Sequence, residues 1–274
     1  MGNMSVELKR SVTLLHKTSL TSHVLLLTFR LFDGHSLEYT PGQFATFIIS
    51  PSIRRSYSFA GWSEDRTSFD LLVDTHPGGP GSQYFLGLEE GASADILAPL
   101  GKFGAIEGST RPSIFIATGT GIAPFRSMLQ KEFSAHSKTL DSGQATTTTG
   151  ENGSPTGSGM TEKKKIHLFW GLRHEEDIYL QEELEKLTED RGLKTEDGVE
   201  KSTEFQYSIV LSQPKEDWAG DRGHVTEHVL EFAKANRQDY DWYLCGNNQM
   251  IKEVEEGLKV LGVPPEQMKK DAYY

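Results

Sequence analysis

The segment Ser113-Ile114-Phe115-Ile116-Ala117 is a compact apolar run that ends in a glycine-rich turn, Gly119-Thr120-Gly121-Ile122-Ala123-Pro124. An apolar run of this length is the pattern of a parallel strand buried on both faces. Glycines after such a strand let the backbone approach a pyrophosphate closely. A helix opening behind them would add free N–H groups and the positive end of its dipole. Pro124 replaces the third glycine of the usual dinucleotide fingerprint and suits the first turn of a helix. No Gly-Lys-Ser/Thr follows, so the loop is not a Walker A phosphate cradle. Beyond it the pattern alternates: helix near 125–133, strand 167–170, helix 180–187, strand 206–211, helix 225–235, strand 242–245 and helix 249–261. Alternation of this kind predicts a parallel sheet with crossover helices.

The chain before Arg111-Pro112 has a different character. Runs 24–29 and 44–49 are rich in β-formers. Breakers punctuate them at Asp33-Gly34, Pro41-Gly42, Pro77-Gly78-Gly79-Pro80-Gly81, Gly91 and Gly101. Short strands so spaced predict an antiparallel barrel or sandwich. A length of 274 residues accommodates two domains, and the change of pattern divides them into 1–111 and 112–274. Residues 138–163 are low in complexity and nearly free of apolar side chains. They read as a flexible insert between the first helix and second strand of the α/β part.

Charge and cysteine content narrow the function. Residues 1–111 hold 9 basic against 11 acidic side chains, and residues 112–274 hold 19 against 28, for a net charge of -11. So acidic a second half is a poor partner for nucleic acid. The single cysteine, Cys245, rules out an intrachain disulfide and a cysteine-ligated iron–sulfur cluster within this chain. Mean hydropathy is -0.46, and no run is long enough to span a bilayer. The polar start lacks a signal-peptide core, which makes the cytoplasm the expected compartment.

Other segments carry weaker signals. Arg55 in Arg55-Ser56-Tyr57-Ser58 could pair with phosphate, Tyr57 could cover an aromatic face, and Ser58 could hydrogen-bond a ring nitrogen. Alone, the segment reads better as an exposed strand end with an incidental arginine. Gly79-Pro80-Gly81-Ser82 precedes a short helical start that Ser82 could cap, leaving N–H groups for a second phosphate. It also reads as a plain capped turn. His224-Val225-Thr226-Glu227-His228 fits the H-x-x-E-H zinc pattern, but no third ligand or long supporting helix is evident, and no metal site is expected.

Taken in order, Pro41–Phe44, Arg55–Ser58, Gly79–Ser82, Pro99–Phe103, Gly119–Pro124 and Cys245-Gly246 resemble the motifs of the ferredoxin–NADP reductases and their relatives, including the reductase components of bacterial oxygenases. The resemblance runs from about residue 8 to the C-terminus, interrupted by the insert. It implies a flavin-binding antiparallel β-barrel followed by a nicotinamide-dinucleotide-binding α/β domain. It further implies that Arg55 holds the flavin pyrophosphate, Tyr57 packs on the isoalloxazine and Ser58 lies near flavin N5. Gly79, Gly81 and Ser82 would bind the other side of the phosphates. Thr118, Gly119, Thr120, Gly121 and Pro124 would line the nicotinamide–pyrophosphate site, with Cys245 and Gly246 near the nicotinamide C4. Arg173 and Ser212 would serve the far end of the dinucleotide. The terminus Asp271-Ala272-Tyr273-Tyr274 resembles the family's acidic-x-aromatic ending, in which an aromatic ring shields the flavin face. Here Asp271 stands for the plant-type Glu, and Tyr274 is one residue extra. The bound cofactor follows the family majority as FAD rather than FMN.

The activity so implied is electron transfer from NADH or NADPH, through flavin, to an acceptor protein on a separate chain. The acceptor would be of iron–sulfur, haem or flavodoxin type. A non-catalytic flavin- or nucleotide-sensing module and a reductase that releases free reduced flavin are the alternatives. Ser58, Cys245 and the terminal aromatics favour an enzyme, and Gly79–Ser82 argues against flavin release. Gln213 follows Ser212 where NADP-specific members carry Arg. It offers no charge-assisted bond to a 2′-phosphate, which favours NADH. Lys215, Arg173 and Arg222 nearby are the counterweight.

Overall fold

The computed structural model describes residues 8–63, 65–137, 164–189, 203–236 and 239–273. The expected insert at 138–163 and Tyr274 lie outside the described residues. Six strands come first: β1 (Lys9–Ser19), β2 (Val24–Leu31), β3 (Phe44–Ser50), β4 (Ile53–Ser58), β5 (Ser68–Asp74) and β6 (Ser93–Leu100). Helix α1 (Pro80–Gly87) lies between β5 and β6. The strands pair antiparallel in the order β4-β3-β6-β1-β2-β5. Phe59, just past β4, bridges Leu71 of β5 and joins the two outer strands. The sheet therefore closes as a barrel, which removes the exposed edges an open sheet would carry.

Alternation fills the barrel. β1 turns Val12 and Leu14 inward, and β2 turns Leu25, Leu27, Phe29 and Leu31, as a period of two requires. Phe29 packs on Phe47 and Phe69, with ring centroids 5.2 and 5.7 Å apart. Phe85 of α1 packs on Phe47 at 5.0 Å, which pins the helix to the barrel. Each such ring contributes about 1.5–3 kcal/mol by leaving water. Ser82 does not cap α1: the helix begins at Pro80, Gly79 is its N-cap residue, and Ser82 is buried in the first turn. Proline decides this, because its fixed φ and missing N–H suit the first helical position.

The second sheet comprises β7 (Ser113–Thr118), β8 (Lys164–Leu172), β9 (Thr203–Leu211), β10 (Asp221–Arg222), β11 (Asp241–Asn247) and β12 (Met268–Tyr273). They run parallel in the order β10-β9-β8-β7-β11-β12. Helices α2 (Ala123–Ser137), α3 (Gln181–Glu189), α4 (Val225–Ala235) and α5 (Asn248–Val260) make the crossovers. β7 is buried on both faces. Ile114 and Ile116 join a core with Val229, Val254 and Leu258, while Phe115 and Ala117 face Phe125 and Leu129. The latter core also takes in Val24, Ala60, Leu72 and Phe103 of the barrel portion, so one apolar cluster crosses the seam. Chain progression reverses at β7, with β8 and β9 to one side and β11 and β12 to the other. Ligands bind such sheets at the carboxyl ends of the strands flanking that reversal. Among the described residues no helix is long and apolar enough to cross a membrane.

Candidate active site

β4 supplies the first wall. Arg55 and Tyr57 project to one face of the strand, and Ser58, only 3% exposed, to the other. Tyr57 packs edge-on against Phe47 and Phe85, at 6.0 and 5.0 Å. Burial pushes its phenol up to about 12, and the neighbouring Arg55 guanidinium opposes that shift. Arg55 is exposed, and its Nη1 donates to the Arg54 carbonyl at 2.7 Å. Gly81, in the first turn of α1, lies directly on this pair. A Cβ there would run into the Tyr57 hydroxyl and approach Arg55 Cγ to 3.2 Å. Arg55, Tyr57 and the Gly79–Ser82 turn, 22 residues apart at their closest ends, Tyr57 and Gly79, thus form one surface.

The second wall is the turn after β7. It opens as a short 3₁₀ turn, Gly119–Ile122, before α2 begins at Ala123 with Pro124 as its second residue. Gly119 holds φ +53°, and its carbonyl accepts from Trp170 Nε1 at 2.9 Å and the Tyr179 hydroxyl at 3.1 Å. Gly121 has no room for a side chain, because a Cβ would strike the Cys245 carbonyl. Gly246, at φ +132°, presses likewise against Thr118. Thr118 Oγ1 accepts the Asn247 N–H at 2.8 Å, and Asn247 caps α5 through Gln249 N–H at 2.7 Å. The turn and the β11–α5 junction therefore meet backbone to backbone.

The two walls join at four side chains. Ser58 Oγ donates to Asp271 Oδ2 at 3.4 Å. Register places Cys245 of β11 beside Asp271 of β12, and Asn247 beside Tyr273. Burial raises the Asp271 carboxyl, while the Ser58 hydrogen bond lowers it. Burial also raises the Cys245 thiol well above its ordinary value, and Asp271 adds to this. The Tyr273 hydroxyl is buried against Ser58 and Cys245, but finds no acceptor in hydrogen-bonding geometry.

A cleft of about 930 Å³ runs from Tyr273 along the carboxyl ends of the second sheet. Thr118, Gly119, Thr120, Gly246, Arg173 and Ser212 line it. Sequence reasoning did not find its rim: Ser22, His23 and His76 come from barrel loops, Val24 and Asp74 from the adjoining ends of β2 and β5, and Asn247 and Asp177 from the α/β part. His23 reaches Asp177 across the seam at 3.6 Å. No periodicity marks such loop residues, although Asn247 before a helical run was legible as a cap. Of the three neighbouring cations, Arg222 is committed. Its Nη2 donates to the carbonyls of Lys215, Glu216 and Trp218, each at 2.8 Å. Lys215 Nζ lies 3.8 Å from Glu176, which leaves Arg173 as the guanidinium on the cleft wall. His224 is the N-cap residue of α4, and His228 Nε2 lies 2.9 Å from the Arg222 carbonyl. Among the described residues no three metal-ligating side chains converge.

These residues fit a flavin and a nicotinamide dinucleotide. Gly81 keeps open a surface between an arginine and an aromatic ring, Gly121 and Gly246 keep side chains out of the strand-end crevice, and the unpaired Tyr273 hydroxyl faces the junction.

Comparison with known proteins agrees. Residues 11–104 match the oxidoreductase FAD-binding domain family, and residues 115–256 match the oxidoreductase NAD-binding domain family. The chain is 32% identical over 263 residues to ferredoxin–NADP reductase B of Sorangium cellulosum, covering 93% of both chains. It is 28% identical over 238 residues to the ferredoxin–NAD(P)(+) reductase component of a Pseudomonas putida naphthalene 1,2-dioxygenase system, covering 86% of this chain and 61% of that one. In fold it is similar to a cytochrome P450 reductase of Amycolatopsis, with a TM-score of 0.74, 20% identity and coverage of 96% of this chain and 69% of that one. The ferredoxin–NADP+ reductase of Plasmodium falciparum gives 0.69 at 18% identity, covering 98% and 97%. By the two matched domains and by its likeness to a ferredoxin–NADP reductase over 93% of both chains, the chain belongs to the ferredoxin–NADP reductase-like family and is an NAD(P)H-dependent flavoprotein reductase.

Proposed function

We propose that the protein passes electrons from NAD(P)H through bound FAD to a one-electron acceptor protein on a separate chain, of iron–sulfur, haem or flavodoxin type. The division into a 1–111 flavin unit and a 112–274 dinucleotide unit is part of this reading. The observation that carries it is the meeting of Ser58, Asp271, Cys245 and Tyr273 where the barrel surface joins the dinucleotide cleft. FAD supplies the chemistry, since it takes an electron pair as hydride and gives electrons up singly.

The chain's own residues bind and orient. Arg55 and the N–H groups at the start of α1 hold the flavin pyrophosphate from two sides, and Tyr57 packs against the ring system. Ser58 has one hydroxyl proton, which goes to Asp271 Oδ2 at 3.4 Å. With flavin bound it turns to the flavin N5, and a protonated Asp271 then donates to the Ser58 oxygen and fixes its direction. The raised Asp271 carboxyl is placed to hold a proton close to Ser58. Backbone N–H groups between Thr118 and Gly121, with the N-terminus of α2, take the dinucleotide pyrophosphate. Cys245 and Gly246 form the floor beneath the nicotinamide, and Arg173 and Ser212 serve the adenosine end. Tyr273 covers the flavin face and swings away when the nicotinamide enters.

The test is anaerobic mixing of the yellow holoprotein with NADH or NADPH, followed by addition of ferricyanide or cytochrome c. Bleaching of the flavin bands and then stoichiometric one-electron reduction of the acceptor is expected. A flavin that either nucleotide fails to reduce overturns the reading. Release of free reduced flavin before any acceptor is reduced would replace it with the flavin-releasing activity.

A further inference from the structure

Ala60 stands two residues beyond Ser58, and Arg126 two residues beyond Pro124. The structure joins these two points directly. Arg126, on the first turns of α2, donates from Nη1 to the Ala60 carbonyl at 2.9 Å and to Asp70 Oδ2 of β5 at 2.9 Å. Its Nε donates to both oxygens of Glu183 of α3, at 3.0 and 2.9 Å. The side chain is only 11% exposed. Burial works against its charge, but Glu183 and Asp70 more than offset this and hold the guanidinium firmly protonated.

The same helix fastens the next two residues. Gln130 Oε1 accepts the Trp62 N–H at 2.8 Å, and its Nε2 donates to Glu183 Oε1 at 2.9 Å. Ser127 Oγ donates to the Gly61 carbonyl at 3.3 Å. Gly61 must lack a side chain, since a Cβ would come within 2.6 Å of the Asp70 carboxylate. The segment leaving the flavin-side serine is thus clamped to the helix that leaves the dinucleotide turn. A planar fork can serve three acceptors on three different elements, which a lysine ammonium on a flexible stem does not do with the same geometry.

The geometry points to Arg126 as a positioning residue for hydride transfer, one that fixes the distance between the flavin held by the barrel and the nicotinamide held by the second sheet. This rests on the functional reading above. A hydride moves only between atoms held in near-contact, and a misplacement of about 1 Å costs on the order of a hundredfold in rate. No other described arginine or lysine donates both to the segment following Ser58 and to the α2–α3 pair.

The experiment compares the parent with R126Q and R126K holoproteins by anaerobic rapid mixing with NADH and NADPH. R126Q is expected to keep its flavin, to reduce it about 10–100-fold more slowly, and to lose the long-wavelength charge-transfer absorbance of a nicotinamide stacked on flavin. Its dithionite-reduced flavin should reoxidise with ferricyanide at the parent rate, because that step needs only the barrel. R126K should regain part of both the rate and the band. Parent-like hydride transfer and charge-transfer absorbance in R126Q would overturn the inference. So would an equal slowing of the ferricyanide step, which would mean general damage. If R126Q yields no folded flavoprotein, E183Q, which loosens the clamp from the α3 side, carries the same measurements, and a parent-like band in it overturns the role. A parent that neither nucleotide reduces would instead strike the functional reading itself.

Discussion

Ser58 Oγ and Asp271 Oδ2 lie 3.4 Å apart although 213 residues separate them in the chain. One is the last residue of a barrel strand, the other belongs to the final strand of the parallel sheet. Their contact ties the flavin-side surface to the dinucleotide side. Ser58→Ala should therefore leave flavin content unchanged, since the proposed phosphate contacts are at Arg55 and the start of α1, and slow flavin reduction by about a hundredfold or more. Rapid-mixing absorbance of the flavin bands measures this, and a parent-like rate would remove Ser58 from the hydride step.

Asp271 bears on stability with the opposite sign to most carboxylates. Burial raises its folded-state pKa above the unfolded value, with Ser58 only partly opposing. Between those two values the folded protein binds more proton than the unfolded chain, so stability falls as pH rises through that window. Once pH has risen past that window, the buried carboxylate costs stability. Asp271→Asn should consequently match or exceed the parent's Tm at pH 7, lose that advantage below pH 4, and still turn over more slowly. Thermal melts at pH 7 and pH 3.5 check the first two outcomes, and a lower Tm at pH 7 would contradict this account.

Arg55→Ala should weaken flavin binding and leave nicotinamide affinity almost unchanged. Losing a charge-assisted hydrogen bond to phosphate costs about 1.5–3 kcal/mol, a loss of affinity of roughly ten- to a hundredfold. Flavin retained through dialysis, followed by fluorescence titration of the apoprotein, measures it.

Gln213→Arg should shift the ratio of kcat/KM values toward NADPH, with the parent favouring NADH. Gln213 is exposed two residues past the end of β9, and its backbone N–H donates to the Arg173 carbonyl at 2.8 Å. A new guanidinium there would reach a 2′-phosphate. A parent that prefers NADPH would assign the phosphate to Arg173, because Arg222 is held by three carbonyls.

Much of this architecture was legible because it rests on short-range rules. The run 113–117, the glycines after it and the alternation of strand and helix follow from periodicity and turn chemistry, and the helix expected at 225–235 forms over those residues as α4. Ser82 was misread as a cap because Ser before an apolar run is the commoner signal, and Pro80 overrode it. The cleft rim at His23, Asp74 and His76, and the Arg126 clamp on Asp70 and Ala60, were not legible. Those contacts join loops and helix faces more than fifty residues apart, and no local pattern records them. Ser58 is the intermediate case: the barrel strand was ambiguous alone, and only the ordered set of motifs singled the residue out.

The apolar cluster that includes Val24, Ala60, Leu72 and Phe103 together with Phe115, Ile122 and Phe125 has a calorimetric consequence. Separating the barrel from the parallel sheet would strip water-excluded surface from both, at about 25 cal/mol per Å² of apolar area exposed. The two sheets should therefore melt in one endotherm, with calorimetric and van't Hoff enthalpies in agreement. Cutting the chain between them would leave each piece with an oily flank and a tendency to aggregate.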